Sequence, residues 1–436
     1  MRYVYALFLL IIVSVPASAQ EIDLATRLKK LSAVASCTAI DTPKGYAAAF
    51  DLRIKQPVDH DAPAGPTFTQ RVFLSHLDPS RPVVLVTEGY AAGGNRLSEP
   101  TRILKANQIV VEHRFFGASR PDSIDWKLLT VRQSAADLHA IVTMLKQIYP
   151  GKWVSTGVSK GGQTTCLYRY FYPEDVAASI PYVAPINIAQ EDPRPTEFLR
   201  HVGPDSVRRA IHRFQVNALL AEEEALVLLD TLARQKEYVF SNGKRLMYEY
   251  AVLEYPFAFW QYHGLKAAGR IPGEGATPKE IVTHLDEIAN LSMFADKGVS
   301  YFAPFQYQAY TQMGYYTYDI SDLKQYLRVL KNPSNSFLAP PGVELNYDCG
   351  TFQKINRWLR YDGGNFIYIY GENDPWTACA IQLTGVTNSV RLIVAGGTHG
   401  ANVRQLDPAQ QQQVLTLLEE WVGVKGEIPP PSPARR

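Results

Sequence analysis

The chain has 436 residues, 46% of them hydrophobic and 20% charged, with a formal net charge of +2. This length allows one large domain or two smaller ones, and the composition is that of an ordinary globular enzyme. So balanced a charge excludes the strongly basic chains that bind nucleic acid or anionic membrane surfaces.

In chain order, Met1-Arg2 precedes an apolar run from Val4 to Val15 and then Ala17-Ser18-Ala19. One basic residue, a short apolar core and an A-x-A-like site predict a secretory signal peptide over 1–19. That core is too short to span a bilayer, which needs about 20 residues. The later charge-free run from Gly298 to Tyr318 is too rich in Tyr and Gln for a membrane span. The mature chain is therefore expected to be exported, periplasmic or extracellular, with no membrane partner, and to be a monomer. Its four cysteines, Cys37, Cys166, Cys349 and Cys379, are too few for a disulfide scaffold. An exported chain leaves room for one or two bridges. No C-x-x-C pair or H-E-x-x-H occurs, so no metal and no cofactor are expected.

Pro82–Thr87 and Asn107–Glu112 read as strands, followed by Glu88-Gly89-Tyr90-Ala91-Ala92-Gly93-Gly94 and His113-Arg114-Phe115-Phe116-Gly117. Thr130-Val131-Arg132-Gln133 has the form of a capping box and opens a helix whose apolar face carries Leu138, Ile141, Val142, Leu145 and Ile148. After Pro150-Gly151 comes a third strand, Lys152–Thr156, then a helix over Lys160–Tyr172 and a strand over Val176–Val183. Such alternation predicts βαβ units and a mostly parallel sheet flanked by helices. From about residue 191 the pattern changes. Ser206–Tyr238 and Pro278–Phe294 are helical in period, with aromatic-rich stretches at Tyr255–His263 and Tyr301–Tyr318. Sheet character returns at Asn365–Tyr370 and Val390–Val394, and a helix over Pro408–Val422 follows. The expected division is a core in two parts, 20–190 and 341–425, a mostly helical insertion over 191–340, and an extended or disordered Pro-rich tail over 426–436.

Gly157-Val158-Ser159-Lys160-Gly161 matches G-x-S-x-G. A serine on a sharp strand-to-helix turn needs small flanking residues, and the turn aims the Lys160 backbone N–H at a developing oxyanion. The pentapeptide alone is weak evidence. Its context is specific: a strand directly before it, a helix directly after, and two partners in order downstream. Gly371-Glu372-Asn373-Asp374-Pro375-Trp376 follows one late strand, and Ala395-Gly396-Gly397-Thr398-His399-Gly400 follows the next. Of nine histidines only His399 lies beyond both the serine and a post-strand acid. The order Ser, acid, His is that of an α/β-hydrolase. Ser159 is thus the expected nucleophile, His399 the general base and Asp374 the orienting acid, with Glu372 as the other candidate acid. A second oxyanion donor is expected after the strand Pro82–Thr87, at Gly89 or Tyr90, with Tyr90 preferred.

Gly-Val-Ser-Lys-Gly-Gly, Glu-His-Arg-Phe-Phe-Gly, Asp-Pro-Trp and Gly-Thr-His together resemble the secreted prolyl tripeptidyl aminopeptidases of bacteria, over residues 45 to 420. That family is similar to lysosomal Pro-X carboxypeptidases and dipeptidyl peptidases, which carry tyrosine where this chain has Lys160. The resemblance implies an exopeptidase with a helical lid over the hydrolase core, acting on peptide substrates with free N-termini. It places catalysis on Ser159, Asp374 and His399. Such an enzyme needs an anion for the substrate ammonium, and Glu88, Glu112 and Glu372 are candidates by their position beside strand ends. Glu112 could equally pair with Arg114. An ester hydrolase or lipase would use the same triad and is the competing expectation.

Overall fold

The computed structural model describes residues 17–430. The expected leader lies outside the described residues except Ala17-Ser18-Ala19, which begin helix α1 (Ala17–Lys29).

Nine strands make one sheet. In chain order the strands are β1 (Val34–Ala39), β2 (Ala48–Pro57), β3 (Thr67–His76), β4 (Val83–Thr87), β5 (Asn107–Val111), β6 (Trp153–Val158) and β7 (Ala178–Tyr182). The two-residue strands β8 (Glu191–Asp192) and β9 (Tyr315–Tyr316) pair only with each other, and β10 (Ile367–Gly371) and β11 (Val390–Val394) complete the large sheet. Its order is β1-β2-β3-β5-β4-β6-β7-β10-β11. The first three strands and the β3–β5 junction are antiparallel, and from β5 to β11 every pairing is parallel. The antiparallel leading strands were absent from the sequence reading, although β2 alternates buried and less buried residues over much of its length.

The parallel strands β4, β5, β7 and β10 are buried on both faces or nearly so, which explains their continuous apolar runs. One face packs Leu52, Val72, Leu85 and Ile109 against Leu24 and Leu28 of α1 and against Leu138, Ile141 and Leu145 of α3 (Val131–Leu145). The other packs Val84, Val154, Ile180 and Ile369 against Ile103 of α2 (Glu99–Leu104) and against Val414 and Leu418 of α12 (Pro408–Val422). Thr130 caps α3 through Gln133 N, but Gln133 does not complete the expected box. Its amide instead accepts from His60 N and donates to Asp59.

The insertion has its own core. After α4 (Lys160–Phe171) come α5 (Arg194–His201), α6 (Asp205–Leu220), α7 (Glu222–Lys236), α8 (Lys244–Ala258), α9 (Pro278–Ala289) and α10 (Asp296–Gln308). Phe214, Leu229, Tyr248, Tyr255 and Leu285 cluster within it, apart from the sheet. The single helical run expected over Ser206–Tyr238 breaks at Ala221 into α6 and α7. The aromatic-rich stretches are helical too, the second only as far as Met313, before β9. Both α8 and α10 contain a proline, Pro256 and Pro304, and both run into a π-helical turn, Phe259–His263 and Ala309–Met313. Pro256 cannot bond the Val252 carbonyl, which Gln215 Nε2 takes instead at 2.8 Å. A helix absent from the sequence reading, α11 (Cys349–Tyr361), leads back to β10.

Two expectations are corrected. All four cysteines are free thiols, so no bridge forms. The start of the Pro-rich tail is docked, with Glu427 N donating to Ile103 O at 3.0 Å and Ile428 packed on the core. Among the described residues no helix is long and apolar enough to cross a membrane.

Candidate active site

The C-terminal ends of parallel strands are where open α/β sheets gather their ligand-binding loops. Here β4, β6, β10 and β11 deliver Tyr90, Ser159, Asp374 and His399 respectively. Ser159 sits between β6 and α4 at φ 58° and ψ −123°, a backbone state costly for a non-glycine residue. Its N–H donates to Tyr182 O and its carbonyl accepts from Gln163 N, both at 2.9 Å, which holds the turn. A side chain at position 161 would put its Cβ 2.6 Å from Thr87 O, so glycine is required there. Thr87 Oγ1 then ties β4 to the elbow by a 2.9 Å bond to Gly161 O.

The acid and the imidazole meet directly. His399 Nδ1 lies 2.6 Å from Asp374 Oδ2, and the Asp374 side chain is wholly buried. Asp374 Oδ1 accepts from Trp376 N, so both oxygens are committed and the carboxylate is fixed. Glu372 is exposed and accepts from Gly396 N at 2.7 Å, steadying the histidine loop rather than the imidazole. The lid joins in: His399 N donates to Gln261 O in the first π-helical turn at 2.8 Å. Such turns recur at functional sites because they free backbone groups. His399 Nε2 has no hydrogen-bond partner among the described residues and is not bonded to Ser159 Oγ. Both residues line one cavity of about 620 Å³. Contacts of this kind commonly tighten only once substrate is bound.

Tyr90 lines the same cavity and packs edge-on against Phe116, Phe302 and Phe305, each with ring centroids 5.6 Å away. The Glu-His-Arg-Phe-Phe-Gly stretch explains how this loop is held. His113 N donates to Tyr90 O at 3.1 Å, and Glu112 accepts from Ala92 N, Ala118 N and Ser119 Oγ. Glu112 is therefore consumed by the loop scaffold and lies off the cavity. It does not pair with Arg114, which instead makes a buried two-pronged bond to Asp137. Glu88 also lies off the cavity, in a separate depression with Arg96 and Arg102, and burial pushes its carboxyl up to about 7 with help from nearby Glu112. None of the three glutamates singled out from strand ends lines the cavity.

Lys160 is buried and its Nζ has no hydrogen-bond partner among the described residues. The nitrogen lies 5.8 Å from the Tyr90 ring centroid and 5.7 Å from that of Phe116. Burial drives its pKa well below the usual lysine range.

Glu254, on α8, lines the cavity and, among the described residues, has no cationic partner, unlike Asp286 and Glu287 on the same wall. Its Oε2 accepts from the hydroxyls of Tyr316 and Tyr318, and burial raises its pKa to about 7 against the pull of those phenols. Sequence reasoning missed it by searching strand ends. The available signal was a lone acid inside the aromatic run Leu253–Trp260. Tyr262, Tyr315, Phe294, Phe302 and Trp376 complete much of the wall.

The family described as PS-10 peptidase S37 matches residues 17–435. A prolyl tri/tetrapeptidyl aminopeptidase of Streptomyces mobaraensis is 34% identical over 386 residues, covering 86% of this chain and 80% of that one. Two solved structures are also similar. A proline iminopeptidase of Mycobacterium smegmatis has 11% identity and a TM-score of 0.38, over 84% of this chain and 96% of that one. An α/β fold family hydrolase of Bacillus anthracis has 12% identity and a TM-score of 0.34, over 88% and 98%. The chain belongs to the PS-10 peptidase S37 family and is a serine peptidase built on an α/β-hydrolase core.

Proposed function

We propose that the protein is an exported exopeptidase that releases short peptides, of three or four residues and ending in proline, from free N-termini. The observation that carries this reading is the lid-roofed cavity shared by Ser159, His399 and Glu254. Its wall is aromatic, which suits a proline ring, and its size falls in the usual range for ligand sites of about 300–1,000 Å³. Export is supported by the leader-like residues 1–19. That the Streptomyces mobaraensis relative is a prolyl tri/tetrapeptidyl aminopeptidase supports the fragment length and the proline.

In the proposed reaction Ser159 Oγ attacks the carbonyl carbon of the proline while His399 Nε2 takes the hydroxyl proton. Asp374 holds the Nδ1–H and stabilises the imidazolium. The backbone N–H groups of Tyr90 and Lys160 receive the oxyanion; each such donor carries about 100- to 1,000-fold in turnover. His399 passes its proton to the leaving amine, the C–N bond breaks, and an acyl-enzyme ester remains on Ser159. Water, deprotonated by His399, then cleaves that ester.

A screen of tripeptide p-nitroanilides ending in proline, free and N-acetylated, with Ser159→Ala as control, tests the reading. Free peptides should be cut and acetylated ones largely spared. Equal cutting of both would sink it, as would hydrolysis of simple acyl esters without any of these amides.

A further inference from the structure

We propose that Glu254 is the docking site for the substrate's free α-ammonium. This rests on the exopeptidase reading above. Three carboxylates line the cavity: Glu254, Asp286 and Glu287. Asp286 pairs with Lys236, and Glu287 with Arg270. Glu254 has no cationic partner among the described residues. Its two protein partners are phenols, both on Oε2, and among the described residues Oε1 accepts no hydrogen bond. A carboxylate taken from water and given only neutral donors leaves most of its desolvation cost standing. An ammonium entering the cavity would complete the pair.

The support around Glu254 is built for position. Tyr316 belongs to β9, which pairs with β8 where the chain leaves the core, so the start of the lid holds the phenol's strand in place. The Tyr318 hydroxyl reaches both Glu254 at 3.1 Å and Asn335 at 2.8 Å. Phe257, one turn along α8, stacks on Tyr316 with centroids 4.0 Å apart. The only lysine on the cavity wall is Lys160, buried at the elbow; no arginine lines the wall among the described residues. The lining therefore favours a substrate ammonium and offers little to a substrate carboxylate.

The titratable groups on the cavity wall with Glu254 are the phenols of Tyr90, Tyr262, Tyr301, Tyr315, Tyr316 and Tyr318, the imidazoles of His263 and His399, the buried Lys160 amine, and the paired Asp286 and Glu287. Burial raises all six phenols above their ordinary value, which already lies above the neutral range. His399 acts on free and blocked substrates alike, so its titration cancels in their ratio.

The test is the ratio of kcat/KM for a free tripeptide p-nitroanilide ending in proline to that for its N-acetyl form. In the wild-type enzyme the ratio should be on the order of 100 or more, the size of a charge-assisted hydrogen bond in a dry site. In Glu254→Gln it should collapse to within a few-fold of unity, through KM for the free peptide. The wild-type ratio should rise as pH passes upward through about 7, where Glu254 ionises, and fall above about 8, where the amine loses its proton. A wild-type ratio near unity overturns the exopeptidase reading and this assignment with it. A high wild-type ratio that persists in Glu254→Gln overturns the anchor alone. An equal fall on both peptides makes Glu254 a structural residue and also overturns it. If Glu254→Gln does not fold, Tyr318→Phe keeps the carboxylate. That variant should lower the ratio several-fold, and an unchanged ratio, together with a wild-type ratio flat in pH, contradicts the proposal.

Discussion

The two sides of the cavity are held by different forces. On the sheet side, Ser159, Asp374 and His399 sit on loops clamped by backbone hydrogen bonds and strand ends, such as Ser159 N to Tyr182 O and Asn373 N to Gly397 O. On the lid side, Glu254 is positioned by phenol hydroxyls and by the ring of Phe257 stacked on Tyr316, in an insertion whose helices have a separate core. A backbone lattice fixes geometry nearly independently of side-chain identity, so the sheet side suits chemistry that must stay constant. Side-chain packing can be re-cut residue by residue, so the lid side suits substrate choice. The two meet across an aromatic seam, Tyr90 against Phe302 and Phe305 and Trp376 against Phe257, Tyr315 and Tyr316, and through the bond from His399 N to Gln261 O.

If this division holds, substitutions on the sheet side should strike turnover and those on the lid side should strike substrate affinity. The largest effect is expected at the acid. Asp374→Asn should lower kcat by about 10⁴-fold by presenting the wrong imidazole tautomer. Glu372→Gln removes only a carboxylate charge at Gly396 N and should cost less than about tenfold. Steady-state kinetics on one free peptide separates the two, and a reversed order would assign the triad acid to Glu372.

Glycines on the two sides give the next contrast. Gly161→Ala drives a Cβ into Thr87 O at the elbow, and should cost about 3 kcal/mol and most of the turnover. Gly314, at φ 77°, ends the second π-helical turn just before Tyr315 and Tyr316, and a Cβ there would meet the Ala189 carbonyl. Gly314→Ala should raise KM for free peptides more than it lowers kcat. Melting curves and kinetics on both variants check the pair, and a kcat-only defect in Gly314→Ala would dissolve the distinction.

The smallest effect concerns Lys160, whose amine has no partner. Its folded pKa is depressed by burial, so the unfolded chain binds more protons below the ordinary lysine range. Wild-type stability from this group therefore rises with pH between the folded and unfolded pKa. Lys160→Met should remove that slope and add about 1–2 kcal/mol at neutral pH by ending the unpaired burial. A Tm that falls in Lys160→Met at neutral pH would assign the amine a stabilising contact.

The same division explains what could be read from the sequence. β11 and α12 fall at Val390–Val394 and Pro408–Val422 as periodicity predicts, and the elbow lies between a strand and a helix as its glycines require. Asp374 and His399 were accessible because post-strand loops in a fixed order are a one-dimensional pattern. Glu254 was not, because nothing local says which helical carboxylate a lid will turn toward a distant serine. Glu88, Glu112 and Glu372 lie off the cavity, two of them for a related reason: a glutamate beside a strand end is readily claimed by nearby loop amides, as Glu112 and Glu372 are.

The most direct test of the account is mass spectrometry of products from a ten-residue peptide with proline at position three, offered with a free and with an acetylated N-terminus. The account predicts release of the N-terminal tripeptide from the free peptide and an almost untouched acetylated one. Internal cuts, C-terminal trimming, or equal digestion of both peptides would contradict it.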